Sequence, residues 1–206
     1  IVYSNDQFSD TDFSSYEDLA DPKWKGKLCL RTSKKVYNRS LIASMIDAHG
    51  FDKAREVVAG WVANLTTEVF SNDTNALKAV SSGQCGVTIV NTYYLARLLD
   101  DPEYDNLKLF WANQDDRGVH VNISGAGIVK SSKNKEDAQI LLEYLSSERA
   151  QDFYASANKE YPVLDGASVD ESIKGWGDFI EDDINVSKLG LLQKEAVFIA
   201  QEVGYK

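Results

Sequence analysis

Prolines number only three and glycines thirteen in 206 residues, which argues against a fibrous repeat or a low-complexity disordered chain. No apolar run approaches the roughly 20 residues of a bilayer-spanning helix, so direct membrane insertion is not expected. Basic side chains are outnumbered as well: 22 Lys plus Arg face 32 acids, for a formal charge of −10. A surface able to neutralise a row of phosphates is hard to build from that balance, and a nucleic-acid partner is not expected. The sequence also has no G-x-S-x-G elbow, no P-loop and no H-E-x-x-H pair. Carboxylates are plentiful, but no motif sets one opposite another, so no enzyme is expected.

Cysteine is scarce. Cys29 and Cys85 have neither C-x-x-C nor zinc-cluster spacing. Both lie in short apolar stretches that read as strands, and their spacing leaves buried free thiols and an inter-strand disulfide equally open. The opening Ile1-Val2-Tyr3 reads as mid-strand, without initiator Met or signal-peptide regions. The expectation is a processed chain, or one whose preceding portion is missing.

What is present, at 43% apolar and 26% charged residues, is the ordinary composition of a globular protein. Strands and helices alternate, which predicts a layered α/β fold. Residues 27–31 (KLCLR), 87–90, 107–111 and 127–129 read as strands. Residues 39–49, 51–65, 75–82, 93–99, 135–145, 149–157 and 190–203 read as helices, with 162–187 irregular. In 51–65, Phe51, Ala54, Val57, Val58, Trp61, Val62 and Leu65 follow the helical period. Asn72-Asp73-Thr74 offers helix-cap chemistry.

Two strand-to-helix connections carry tyrosine. Tyr93 and Tyr94 follow the buried run 87–90, and Tyr37 follows the KLCLR strand. Carboxyl ends of strands in such a sheet are where ligands bind, so the three phenols are expected along one edge. Adjacent helical residues point about 100° apart, so Tyr93 and Tyr94 can converge only near a flexible helix start. Phenolate oxygen is a hard anionic ligand suited to Fe(III), and three would balance a trivalent charge. Ordinary tyrosine packing explains the same residues, and the pattern alone does not choose. Arg97 shares a helical face with the pair; it can reach a phenolate or an anion, or form a surface ion pair with Asp100 or Asp101. Arg31, at a strand end, can orient Tyr37 or bind an anion. His49 and His120 lack metal-ligand spacing and read as structural.

Six stretches together resemble the ferric-iron-binding periplasmic proteins of ABC importers, the bacterial transferrins. They are 16–27 (YEDLADPKWKGK), 30–33 (LRTS) ahead of 36–38 (VYN), 77–83 (LKAVSSG), 91–95 (NTYYL), 120–127 (HVNISGAG) and 160–163 (EYPV). The paired tyrosines are the most specific of these, while DPKWKG is shared with importer proteins for other ligands. The resemblance implies a periplasmic-binding-protein type II fold, two α/β lobes joined by crossing strands. Residues 1–124 and 176–206 would form most of the carboxy-terminal lobe, and 125–175 would pack with a missing amino-terminal lobe. It implies Tyr37, Tyr93 and Tyr94 as Fe(III) ligands of the tyrosine-rich branch, while Arg31 and Arg97 stay candidates for supporting a phenolate or binding an anion. A synergistic anion such as carbonate or citrate is a further candidate for the shell, and more ligands would come from the other lobe. The implied partners are an ABC importer permease and ATPase, and the implied location is the periplasm, where Cys29 and Cys85 would be joined. Exposed apolar surface on 125–175, covered by self-association, is a further expectation. Two rival readings keep the fold: a binding protein for a small anion or phosphonate, using Arg31, Thr32 and Ser33, and a ligand-sensing regulatory domain.

Overall fold

The computed structural model describes residues 1–206. Four short strands, β1 (Val2–Ser4), β2 (Leu28–Cys29), β3 (Val87–Thr88) and β4 (Leu107–Leu109), form one sheet in the order β2-β3-β1-β4. β2 and β3 run parallel, with Leu28 opposite Val87, whereas β1 runs antiparallel to β3 and β4. Side chains alternate across a sheet, and here the alternation sorts the core into two halves. Tyr3, Leu28 and Val87 face a core built with α1 (Val36–His49), α2 (Phe51–Asn64) and α8 (Val186–Glu202). Val2, Cys29 and Leu107 face the other way, onto α3 (Asp73–Ser81) and α4 (Thr92–Ala96). The result is a three-layer α/β/α sandwich.

The DPKWKG stretch is a core device. Asp21 caps a single 3₁₀ turn, Pro22–Trp24, that drives Trp24 to 2% exposure against Phe13, ring centroids 4.9 Å apart. Trp61 and Asn64 of α2 then hold the neighbouring backbone, donating to the carbonyls of Tyr16, Leu19 and Asp21. Cys29 and Cys85 are joined by a disulfide. Cys85 lies in the turn entering β3 rather than on the strand itself, so the bond spans a strand and a turn.

Several boundaries differ from the expected ones. α1 begins at Val36, three residues early, because Lys35 is already extended and the connection from β2 is short. α3 begins at Asp73 behind the Asn72 cap, α4 ends at Ala96, and α8 begins at Val186 behind an Asn185 cap. A one-turn helix, α7 (Glu171–Lys174), interrupts the stretch expected to be irregular. Residues 127–129 form no strand: they are exposed and have no neighbour to pair with.

The region 125–175 buries little. α5 (Lys135–Leu145) has no buried residue, and α6 (Glu148–Asn158) buries only Ala150 and Ala155. Ile140, Leu141, Tyr144 and Phe153 are large and exposed, Phe153 at 68%. Beyond them the chain returns to the sandwich. Tyr161 packs edge-on to Phe179 and Trp111, and Ile173 is fully buried. Val119 then bridges Glu181, an approach so close that a Cβ on Gly118 would lie 2.6 Å from the Glu181 backbone.

Candidate metal centre

Parallel neighbours send their carboxyl ends the same way, so β2 and β3 deliver the residues after them to one edge. Tyr37 lies in the first turn of α1, and Tyr93 and Tyr94 lie in the first turn of α4 behind the extended cap residue Asn91. The Tyr93 and Tyr94 rings are 4.5 Å apart, tilted by 38°. Burial, and then the hydroxyl of Tyr94 and the nearby Tyr37, push the Tyr93 phenol above its ordinary range. Burial and the Tyr37 hydroxyl likewise raise Tyr94. Three phenols therefore meet, and without a cation each of this pair holds its proton.

The two arginines are placed behind the rings. The Arg97 guanidinium lies 5.1 Å from the Tyr93 ring and 5.7 Å from the Tyr94 ring. It makes no ion pair with Asp100 or Asp101; one turn of helix directs it back over the rings instead. Arg31 is 3% exposed, 4.2 Å from the Tyr37 ring, and ion-paired with the buried Asp73. Its Nε also donates to Asn38, the residue after Tyr37. Asn38 in turn donates to the Tyr205 hydroxyl, which donates to the Arg31 carbonyl at 2.8 Å.

Three contributors escaped the sequence reading. Asp73 accepts the Asn91 backbone N–H at 3.1 Å besides pairing with Arg31. Asn91 donates its amide to the Tyr93 hydroxyl at 3.3 Å and accepts from Asn122 at 2.9 Å. Tyr205, in the carboxyl-terminal segment after α8, closes the network. Asp73 sits where cap chemistry was already evident, which hid a second role; nothing local marks Tyr205. The histidines lie outside the cluster: His49 bonds Glu17 at 2.8 Å, and His120 bonds Ser40 at 2.7 Å. Burial first, with nearby Arg117, lowers the His120 pKa to about 4.

Chemically, the cluster offers hard oxygen donors on one wall, open to one side, with a cation behind each tyrosine group. No set of His, Cys and carboxylate side chains elsewhere is grouped to hold a metal ion.

Residues 1–180 match the model of the bacterial extracellular solute-binding proteins. The chain is 42% identical to iron uptake protein A1 of Synechocystis sp., with all of the chain and 59% of that protein aligned. Among solved structures, it is similar to Trichodesmium FutA (IdiA) in complex with iron and citrate, at TM-score 0.96 and 41% identity, over 100% of the chain and 67% of FutA. A ferric binding protein from Campylobacter jejuni superimposes at TM-score 0.92 and 32% identity, again over 100% of the chain and 67% of the other. The chain thus spans about 60% of the length of the curated relatives it matches.

Proposed function

Because this chain belongs to the bacterial extracellular solute-binding proteins, we propose that it serves an iron(III) ABC importer, holding Fe(III) through the phenolates of Tyr37, Tyr93 and Tyr94. The observation that carries the reading is the convergence of these phenols from two adjacent parallel strands onto one open edge. Fe(III) favours hard anionic oxygen, and a trivalent charge offsets the cost of holding three phenolates together. Relatives named for iron uptake, and one solved with iron and citrate, support the choice of cargo. The protein acts as a carrier in the periplasm, and its tyrosines are ligands rather than nucleophiles.

Arg97 is the cation left to face an anion such as citrate or carbonate, because Asp73 already neutralises Arg31. Lobe closure over the cargo presents the surface that a permease and its ATPase recognise. Residues 1–124 and 176–206 act as the carboxy-terminal lobe, and the exposed face of 125–175 is covered by other protein. The rival site for a small anion draws no support from the side chains it needs. Arg31 is buried and paired, Ser33 donates to the Tyr205 carbonyl at 2.8 Å, and the Thr32 hydroxyl accepts from Lys34 N–H at 3.3 Å.

The test is a visible absorption titration with ferric citrate on this chain and on Tyr93→Phe. A saturating broad band that weakens in the variant is expected. If colour stays absent after the remaining length of the longer relatives is supplied, the iron reading fails.

A further inference from the structure

We infer that Asp73 is the positioning residue of the tyrosine cluster, its one carboxylate fixing the two connections that carry Tyr37 and Tyr93–Tyr94 at a common spacing. The inference rests on the iron reading above for its consequence, though not for its geometry.

A single oxygen, Oδ1, takes both bonds. It pairs with Arg31, near the start of the connection from β2, and it accepts the backbone N–H of Asn91, which caps α4, at 3.1 Å. From Arg31 the constraint reaches Tyr37 twice, through the guanidinium over its ring at 4.2 Å and through the bond to Asn38. From Asn91 it reaches Tyr93 through the cap and the 3.3 Å side-chain bond. No backbone hydrogen bond joins the two tyrosine-bearing helices; apart from the phenols themselves, this carboxylate ties one connection to the other.

Asp73 is not needed as the cap of its own helix. Asn72 does that, its side chain accepting from Asn75 N–H at 2.9 Å. Nor is a buried ion pair a strong source of stability, since desolvating both charges consumes most of what their attraction returns. Its distinctive contribution is fixed geometry: Asp73 is 1% exposed and Arg31 3%, so neither side chain has room to wander. Groups that orient ligands from behind typically alter metal affinity about 10–100-fold when removed.

Asp73→Asn keeps the shape and removes the charge that anchors Arg31. Fe(III) affinity, measured by competition with citrate, is expected to fall at least about tenfold, with a shifted tyrosinate band. Arg31→Lys keeps a cation beside Asp73 but loses the guanidinium over the Tyr37 ring and the Asn38 bond, and should lose affinity in the same way. In a Tyr37→Phe background the Arg31→Lys loss should shrink to within about threefold, because the ligand it positions is gone, whereas the Asp73→Asn loss should shrink only in part, Tyr93 still being held through Asn91. Unchanged affinity and band in Asp73→Asn, or losses that simply add to that of Tyr37→Phe, would overturn the inference.

An iron-free measurement separates this from failure of the iron reading. In Asp73→Ala, amide exchange at Asn91 should accelerate by about tenfold or more while amides of α2 stay protected. Undisturbed Asn91 exchange would overturn the positioning role whatever the cargo, whereas fast Asn91 exchange in Asp73→Ala, beside a protein that stays colourless even with the remaining length of the longer relatives supplied, would retain the positioning and discard the iron.

Discussion

Tyr93 and Tyr94 are neighbours in sequence, yet their rings face one another 4.5 Å apart beneath the same guanidinium of Arg97. In mid-helix such neighbours diverge by about 100°. They meet here because α4 is five residues long and both sit in its first turn, just after the extended Asn91. The short helix is therefore part of the site, and its phenols, raised by burial, are neutral until a cation displaces their protons.

Iron binding should accordingly be strongly pH-dependent. Each phenol that becomes a ligand gives up one proton, so three ligands release about three, and affinity falls as pH falls. Proton release measured with an indicator dye in weak buffer during Fe(III) addition should give that stoichiometry, and Tyr37→Phe should lower it by about one. Release unchanged in Tyr37→Phe would remove Tyr37 from the ligand set.

A second acid-sensitive element lies away from the site. Burial alone would raise the Glu17 carboxyl. The Asn113 amide at 3.0 Å, the Arg117 guanidinium at 2.6 Å and His49 at 2.8 Å together outweigh it and hold the pKa at about 2. A depressed carboxylate stabilises the fold above its unfolded pKa, and that stability drains as pH falls from about 4.5 towards 2. Allowing for its partial exposure, the effect is on the order of 2 kcal/mol. Glu17→Gln should lose about that much at pH 7 and flatten the acid limb of a stability-against-pH curve measured by urea unfolding. An unchanged acid limb would mean that Glu17 is not held down.

The exposed apolar face of α5 and α6 should make the chain associate. Ile140 and Tyr144 are one helical turn apart, and Phe153 lies on the next helix, all in contact with solvent. Exposed apolar groupings of this kind are covered in solution by another surface. Sedimentation velocity should resolve concentration-dependent species, and Ile140→Glu with Phe153→Glu should leave a monomer. A wild type that stays monomeric at high concentration would refute self-association through this face.

The parts of this molecule written in local pattern were legible before the structure. α5 falls on the 135–145 predicted from its amphipathic period, and α2 ends one residue short of the expected 65. The convergence of tyrosines was legible as well, because two strand-to-helix connections with the same residue need only parallel strands to bring them together. What was illegible depends on partners distant in sequence. Asp73 reaches Arg31 across 42 residues, and Tyr205 reaches it across 174. Neither leaves a periodicity, and Asp73 was concealed by a helix start that explained it adequately. Strand lengths were overestimated for the complementary reason: an apolar run records burial, while a ladder ends where its neighbour ends.

Gly60 tests how rigidly the frame beneath the site is held. It lies inside α2, where replacing glycine with alanine ordinarily stabilises by about 1 kcal/mol. Here a Cβ would lie 2.5 Å from the Ala20 Cβ and 2.8 Å from the Ala20 carbonyl oxygen. Ala20 cannot simply retreat, because the Asn64 amide grips the carbonyls on either side of it, at Leu19 and Asp21, and Trp61 holds Tyr16. Overpacking against fixed backbone costs about 1–3 kcal/mol, occasionally more, and outweighs the gain in helix propensity. Gly60→Ala should therefore lower the urea midpoint by the equivalent of about 1–2 kcal/mol without changing the slope. A raised midpoint would mean that the 3₁₀ turn Glu17–Ala20 slides aside freely, and that the grip of Trp61 and Asn64 is weaker than their hydrogen bonds imply.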